Sequence, residues 1–339
     1  MVLTENNPIR ARVFQSAVLR QEGGLTTLTF HAMGTLCRVS LVETDTSQSN
    51  RFLDALLNWV ADFEAKYSRF LETSLIHRIN QASGREWVEI DDETDRLLSM
   101  CSELRFFTGG IFDPTSLPLI RLWNWKSNPT ALPTAEQISE ARELVGWHRV
   151  QRKPGAVRLA REGMCLDLGG IGKEYAVDYA IQIANQHQIE HVLVDFGQDI
   201  RVLGHPPGKP AWHIGLDNPQ RPGSCWASLA VKQSAVATSG DYLRHAVING
   251  RRYGHIIDPR SGYPVDNGCL AVSVMAPSCT LAGILTTTAF ILGPKEGLEL
   301  INRTFGASGT IITRKEKLIS PRLHEHLVQF NPVSTPSHA

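Results

Sequence analysis

The sequence lacks any imbalance of charge: 34 Lys and Arg face 34 Asp and Glu, for a formal net charge of zero over 339 residues. A chain without a basic surplus carries no electrostatic footprint for nucleic acid or an anionic membrane surface, so nucleic acid is not expected as a partner. No stretch approaches the roughly 18 consecutive apolar residues of a membrane-crossing helix, so no membrane insertion is expected. The opening residues, MVLTENNPIRARVFQSAVLRQEGG, carry acids and amides where a secretory leader has a basic start and an apolar stretch. The expectation is a cytoplasmic protein. The six cysteines (37, 101, 165, 225, 269 and 279) include no CxxC pair. Their wide spacing argues for reduced core thiols and against a zinc knuckle or a disulfide lattice.

Several generic chemical motifs are missing too. In LDLGGIGKEY a P-loop would need Gly at position 167 and Ser or Thr at 174, where the chain has Asp167 and Glu174. A Rossmann GxGxxG is absent, and His324-Glu325-His326 lacks the HExxH spacing of a zincin.

What remains is a globular chain, 42% hydrophobic and 20% charged, long enough for one large domain or two ordinary ones. The segment LTTLTFHAMGTLCRVSLVET reads as two strands around a tight bend at residues 32–35. Phe52, Leu53, Leu56, Leu57, Val60, Phe63 and Tyr67 recur at helical spacing, predicting an amphipathic helix over 51–67. A second helix is expected over about 93–107, ended by Gly109-Gly110. Residues 124–135 read as a surface loop, and Thr134 with Gln137 as a capping box for the helix after it. From 150 to 204 the pattern reads as strand, glycine turn, helix, strand. More strands follow, then a last long helix from about Thr280 and a short strand at GTIIT. The mix is α+β, divided as an N-terminal extension (1–25), a main domain (26–315) and a C-terminal tail (316–339), with both ends expected to be mobile.

The glycine turn is the most suggestive local feature. A carboxylate (Asp167), consecutive glycines and a lysine (Lys173) stand where a helix begins, a natural place for backbone amides to meet a phosphate or a ribose. An ordinary turn whose aspartate caps the helix explains the same residues. Lysine in a first helical turn opposes the macrodipole, and an anion beside it would rationalise its presence.

Taken together, seven segments resemble the ApbE family of FAD:protein FMN transferases. They are AMGT (32–35), SRFLETSLIHRIN (68–80), GGIFDPTSLPLIRLW (109–123), DLGGIGKEYAVD (167–178), SAVATSGDY (234–242), HIIDPRSGYPV (255–265) and LAGILTTTAFILG (281–293). The resemblance spans about residues 28–312 and implies an α+β, T-fold-like architecture with mixed or antiparallel sheets against packed helices. It also implies an enzyme that moves FMN from FAD to a Thr or Ser hydroxyl of an acceptor flavoprotein, releasing AMP. Such a transfer needs charge neutralisation on the diphosphate, positioning of both ends and a group to accept the hydroxyl proton.

By this resemblance Met33 and Phe70 border a flavin or adenine ring, and Ile111, Phe112 and Asp113 line the FAD pocket. Asp167 meets a nucleotide hydroxyl, Lys173 a phosphate or the ribityl chain, and Ser239 and Ile256 lie beside the flavin. His255 takes the acceptor's proton, a role suited to imidazole, whose unperturbed pKa is near 6.5. Asp258 is expected to be a turn former.

One position departs from the family pattern. Family members carry an aspartate in the last helix, four residues before a threonine, and the two hold a magnesium ion. Here Gly283 stands in the aspartate's place ahead of Thr287, and the third position, Gly170, offers only a carbonyl. Neutral oxygens alone suit a hard dication poorly. Another carboxylate (Asp113, Asp167 or Asp241) could reach the ion, the FAD phosphates could supply most ligands, or the protein could bind flavin without turnover. The alternatives to transferase activity are therefore a flavin-binding protein and an FAD pyrophosphatase. On this reading, Gly283→Asp should raise metal affinity.

Overall fold

A computed structural model describes residues 8–124, 131–221, 223–241 and 245–328. The helices are α1 (Pro8–Gln15), α2 (Thr46–Tyr67), α3 (Leu75–Gln81), α4 (Asp92–Phe107), α5 (Leu117–Trp123), α6 (Ala135–Glu143), α7 (Gly172–Gln186), α8 (Cys279–Leu292) and α9 (Pro294–Arg303). The strands begin with β1 (Val18–Glu22), β2 (Leu25–Ala32), β3 (Thr35–Val42), β4 (Val88–Glu89), β5 (Val150–Lys153), β6 (Ala156–Leu159), β7 (Val192–Phe196), β8 (Asp199–Leu203) and β9 (Trp212–Asp217). They continue with β10 (Cys225–Val231), β11 (Ala235–Gly240), β12 (His245–Ile248), β13 (Arg251–Gly254), β14 (Ile257–Asp258), β15 (Tyr263–Pro264), β16 (Cys269–Ala276), β17 (Ser308–Thr313), β18 (Lys317–Ile319) and β19 (Leu327–Val328).

A nine-stranded sheet in the order β1-β2-β3-β7-β8-β11-β16-β17-β18 forms the frame, and its neighbouring strands pair antiparallel. Side-chain alternation sorts its two faces. Val192, Val194 and Phe196 of β7, Ala235 and Ala237 of β11, and Val272 and Val274 of β16 join the large core beneath α2, α7, α8 and α9. Leu193, Val236 and Met275, at the alternate positions, face a second core with Trp212, Ile214 and Leu229 of the small β19-β10-β9 sheet. The molecule is thus layered as helices, large sheet, small sheet.

The bend at 32–35 is a two-residue hairpin turn, with φ of +51° at Met33 and +72° at Gly34. A turn with both central φ positive matches the strands' right-handed twist. Helix α2 starts earlier than its apolar pattern, because Asp45 caps it by accepting from the Ser47 and Gln48 amides. The capping box at Thr134 and Gln137 is present.

Other expectations need correction. The 150–204 segment is not one strand, glycine turn, helix, strand unit. Its first part is the β5–β6 hairpin, which pairs with β4 in a separate sheet. Its last part is a second hairpin, β7–β8, turned by Gly197 and Gln198. Helix α8 is followed by a further helix, α9. At the N-terminal flank, β1 pairs with β2 and α1 buries Ile9 and Val13, and at the C-terminal flank β18 pairs with β17 and Leu323 is buried. Of the expected surface loop, 125–130 lie outside the described residues, as do 1–7, Tyr242 and 329–339. All six cysteines are free thiols, five buried and Cys225 exposed.

One carboxylate sets how α7 meets α8. Asp178 accepts from Cys279 N (2.8 Å), Thr280 N (2.9 Å), Thr280 Oγ1 (2.8 Å) and Arg201 (2.7 Å). It caps α8 from a neighbouring helix, alongside α8's own cap Ser278. On the other side of α7, Tyr179 stacks on Trp59 of α2 at 4.1 Å and Tyr175 stacks on Phe63 at 5.6 Å. Asp178→Ala would strand a half-buried guanidinium and two helix-start amides. We expect it to lower the unfolding free energy by about 3–5 kcal/mol in a urea titration, and an unchanged midpoint would contradict this role.

Candidate active site

Six of the blocks singled out in the sequence are joined by hydrogen bonds, in two groups. The Asn80 side chain both accepts from Leu166 N (2.6 Å) and donates to Leu166 O (3.0 Å), tying 68–80 to the glycine turn. Asp167 N donates to Pro114 O at 2.8 Å, tying in 109–123. The indole of Trp123 donates to Gly262 O at 2.8 Å, adding the 255–265 block. Separately, Ser239 Oγ lies 2.8 Å from Thr286 Oγ1 and 3.0 Å from Thr287 Oγ1, joining β11 to α8. The two groups meet through α7, which continues the glycine turn and packs on α8.

The glycine turn forms the rim of the site. Asp167 is not the helix cap: Oδ1 accepts from Gly169 N at 3.0 Å and Oδ2 pairs with Arg69 at 3.2 Å. No side chain caps α7 at its N-cap residue Ile171, which leaves the first-turn amides as the positive end of the helix. Arg69 also lies over the Phe70 ring at 4.4 Å, and that ring is 67% exposed. Phe112 edges the same turn, its ring 3.4 Å from where a Cβ on Gly170 would be. Ile111 is buried beside it.

Lys173 already has an anion within the chain, the buried Asp199 at the start of β8, with which it forms an ion pair. Burial works against the lysine's charge, but Glu174 and Asp199 outweigh it and hold the ammonium above its ordinary range. Burial also raises Asp199, against the pull of Lys173. Glu174, also buried, is pushed up to about 8 by burial first and Asp199 second. Glu174 belongs to the site, yet sequence reasoning noted it only as breaking the P-loop pattern. Its departure from Ser or Thr after the lysine was the available signal.

Asp113 has no spare capacity. Its Oδ1 accepts from Thr115 N (2.9 Å) and Thr115 Oγ1 (2.5 Å), and its Oδ2 from Arg105 (3.1 Å) and Trp147 N (3.2 Å). A buried carboxylate with four donors shapes the 109–123 loop, so a ligand there would meet backbone. Met33 N donates to the buried Glu64 at 2.8 Å, which pins the hairpin tip to α2. His255 and Ile256 follow β13, both half-buried, with Ile256 O accepting from Val265 N at 2.9 Å. Gly254 passes so close to Asp241 that a Cβ there would lie 2.9 Å from its Oδ2. That approach brings His255 to the end of β11, two residues beyond Ser239. Asp258 is the turn former expected, accepting from Arg260 N at 2.9 Å. Among the described residues no three His, Cys, Asp or Glu side chains cluster as metal ligands.

The fold and the site together define a class: an α+β protein on an antiparallel frame that gathers a glycine turn, a half-buried lysine and a hydroxyl cluster, by neither P-loop nor Rossmann geometry. The chain belongs to the ApbE family, whose pattern matches residues 33–311. It is 29% identical over 297 residues to an FAD:protein FMN transferase of Treponema pallidum, covering 83% of this chain and 82% of that protein. A Klebsiella pneumoniae FAD:protein FMN transferase is 30% identical over 267 residues, with 77% and 81% covered. Among solved structures, the ApbE protein of Thermotoga maritima superposes with a TM-score of 0.80 at 32% identity, over 89% of this chain and 99% of that one. The apo flavinyl transferase ApbE of Pseudomonas stutzeri gives 0.78 at 25% identity, over 91% and 97%.

The two aspartates of the rim should separate in a stability measurement. Asp113→Ala is expected to cost about 3 kcal/mol of unfolding free energy, since it orphans several buried donors. Asp167→Ala should cost clearly less, because Gly169 is exposed and its amide can turn to water. Equal losses in parallel denaturation curves would refute this division of roles.

Proposed function

We propose that this protein is an FAD:protein FMN transferase, acting on a Thr or Ser hydroxyl of an acceptor flavoprotein. The observation that carries the reading is the joining of distant blocks around one glycine turn, in a chain whose relatives bear that name. The acceptor oxygen attacks the FMN-side phosphorus of FAD, a P–O bond forms, the bond from that phosphorus to the bridging oxygen breaks, and AMP leaves with that oxygen. His255 takes the hydroxyl proton. Phe70 and Phe112 offer ring faces to the flat ends of the dinucleotide, and Met33 closes the same edge from the hairpin tip. Lys173 and the uncapped start of α7 place positive charge where the diphosphate gains negative charge. Asp167 orients a nucleotide hydroxyl, and Ser239 and Ile256 frame the flavin.

Magnesium belongs to this reading. The donor set fits it in kind: the Thr287 hydroxyl and the Gly170 carbonyl are hard oxygens, and one buried carboxylate oxygen close to α8, Glu174 Oε2, has no hydrogen-bond partner among the described residues. When bound, the ion would neutralise charge on the diphosphate. No helix of the described residues is long and apolar enough to cross a membrane, and a cytoplasmic acceptor is part of the proposal.

Incubation with FAD, magnesium and an acceptor should release AMP and leave flavin fluorescence on the acceptor in a denaturing gel. AMP without labelled acceptor would indicate a pyrophosphatase, and FAD binding without AMP a flavin carrier. His255→Ala should slow labelling by about 100-fold or more with FAD affinity retained, and equal rates would remove the base assignment. Phe70→Ala should weaken FAD binding with no change in melting temperature, since the ring is mostly exposed. Unaltered FAD affinity in that variant would take Phe70 out of the site.

A further inference from the structure

Gly283 leaves a gap in α8, and the structure shows what fills it. A Cβ built on Gly283 would come within 2.6 Å of Glu174 Cγ, 2.8 Å of its Oε1 and 3.1 Å of its Cδ. The glutamate carboxylate therefore occupies the space that the first atoms of any side chain at 283 would need. It reaches that space by register. Asp178 grips the first amides of α8 at Cys279 and Thr280. Glu174 lies one turn before Asp178 on α7, and Gly283 lies one turn beyond Cys279 on α8, so the same crossing that seats Asp178 sets Glu174 against Gly283.

Glu174 is buried, and its Oε2 has no hydrogen-bond partner among the described residues. A buried carboxylate oxygen left without a partner is costly. Lys173, the nearest cation along the chain, forms its ion pair with Asp199, and Arg201 forms its own with Asp178. The same stretch of α8 carries the hydroxyl cluster: Thr286 Oγ1 donates to Gly283 O at 2.8 Å, and Ser239 Oγ joins Thr286 to Thr287.

We propose that Glu174, reaching from α7 through the gap at Gly283, is the carboxylate of a divalent-cation site shared with Thr287 Oγ1 and the Gly170 carbonyl. The missing aspartate is thus replaced by a glutamate from the facing helix, and the site keeps its one anionic ligand. This rests on the FMN-transfer reading for the ion's purpose. It also corrects the expectation that Gly283→Asp alone would raise metal affinity, because the new side chain would collide with Glu174. Asp113, saturated by four donors, Asp167, paired with Arg69, and Asp241, paired with Arg252, are not needed as substitutes.

The test uses the full-length protein with Mn²⁺ as the probe, the free ion being followed by electron paramagnetic resonance with and without FAD. Glu174→Gln, nearly isosteric, should keep the melting temperature and weaken Mn²⁺ binding by about tenfold or more. Gly283→Asp alone should gain nothing, whereas the double variant Glu174→Gly, Gly283→Asp should recover binding to near the wild-type level. Wild-type affinity in Glu174→Gln, a folded double variant no better than Glu174→Gln, or an unmodified protein that takes up no Mn²⁺ would each overturn the assignment. AMP release by the unmodified protein, measured in parallel, keeps a failure here distinct from a failure of the transferase reading.

Discussion

The contact between Asp178 and the start of α8 is the constraint on which the rest of the site depends. A carboxylate that satisfies two helix-start amides, a hydroxyl and a guanidinium leaves no freedom in how α7 and α8 cross. Once that crossing is set, the glycine turn ahead of α7, the hydroxyls of α8 and the end of β11 fall at one place. Buried charge of this kind adds little net stability, because desolvation offsets most of the attraction. What it does supply is register, since a slip by one turn would orphan every group involved.

Helix α7 is held from its opposite side by different forces. The aromatic stack of Trp59, Phe63, Tyr175 and Tyr179 is broad and apolar, and it fixes how close α7 lies to α2. The division suits a site in which the helix start must remain open. Apolar stacking and a remote carboxylate do the anchoring, so the first-turn amides and Lys173 are not consumed by it. Asp199 is the exception, keeping Lys173 in place from β8.

How much of this could be read from the sequence divides by the range of the interaction. The hairpin tip at Met33-Gly34, the apolar face of α2 and the Thr134 capping box rest on neighbouring residues and were legible. The β7–β8 pair reads as one strand because Gly197-Gln198 sits inside a single strand-like stretch, HVLVDFGQDIRVLG, and Gln198 gives no hint of the φ of +73° it adopts. The early start of α2 was missed because Asp45 caps a turn that buries little. At the site, the fold brings together blocks named from resemblance, but the partners of their side chains were not readable. The anion beside Lys173 is Asp199, 26 residues away, and the saturation of Asp113 depends on Trp147 and Arg105, which no local pattern links to it. Glu174 and Gly283 each looked like a single departure, and only the helix crossing shows them to be one arrangement.

That pairing also restricts how such a protein could have changed over time. A chain with aspartate at 283 and one with glutamate at 174 cannot be connected by a single substitution that passes through both acids, since the two side chains claim the same volume. Any stepwise exchange of one acid for the other runs by way of a molecule with neither or one that crowds both, so each position should be poorly exchangeable when transplanted alone.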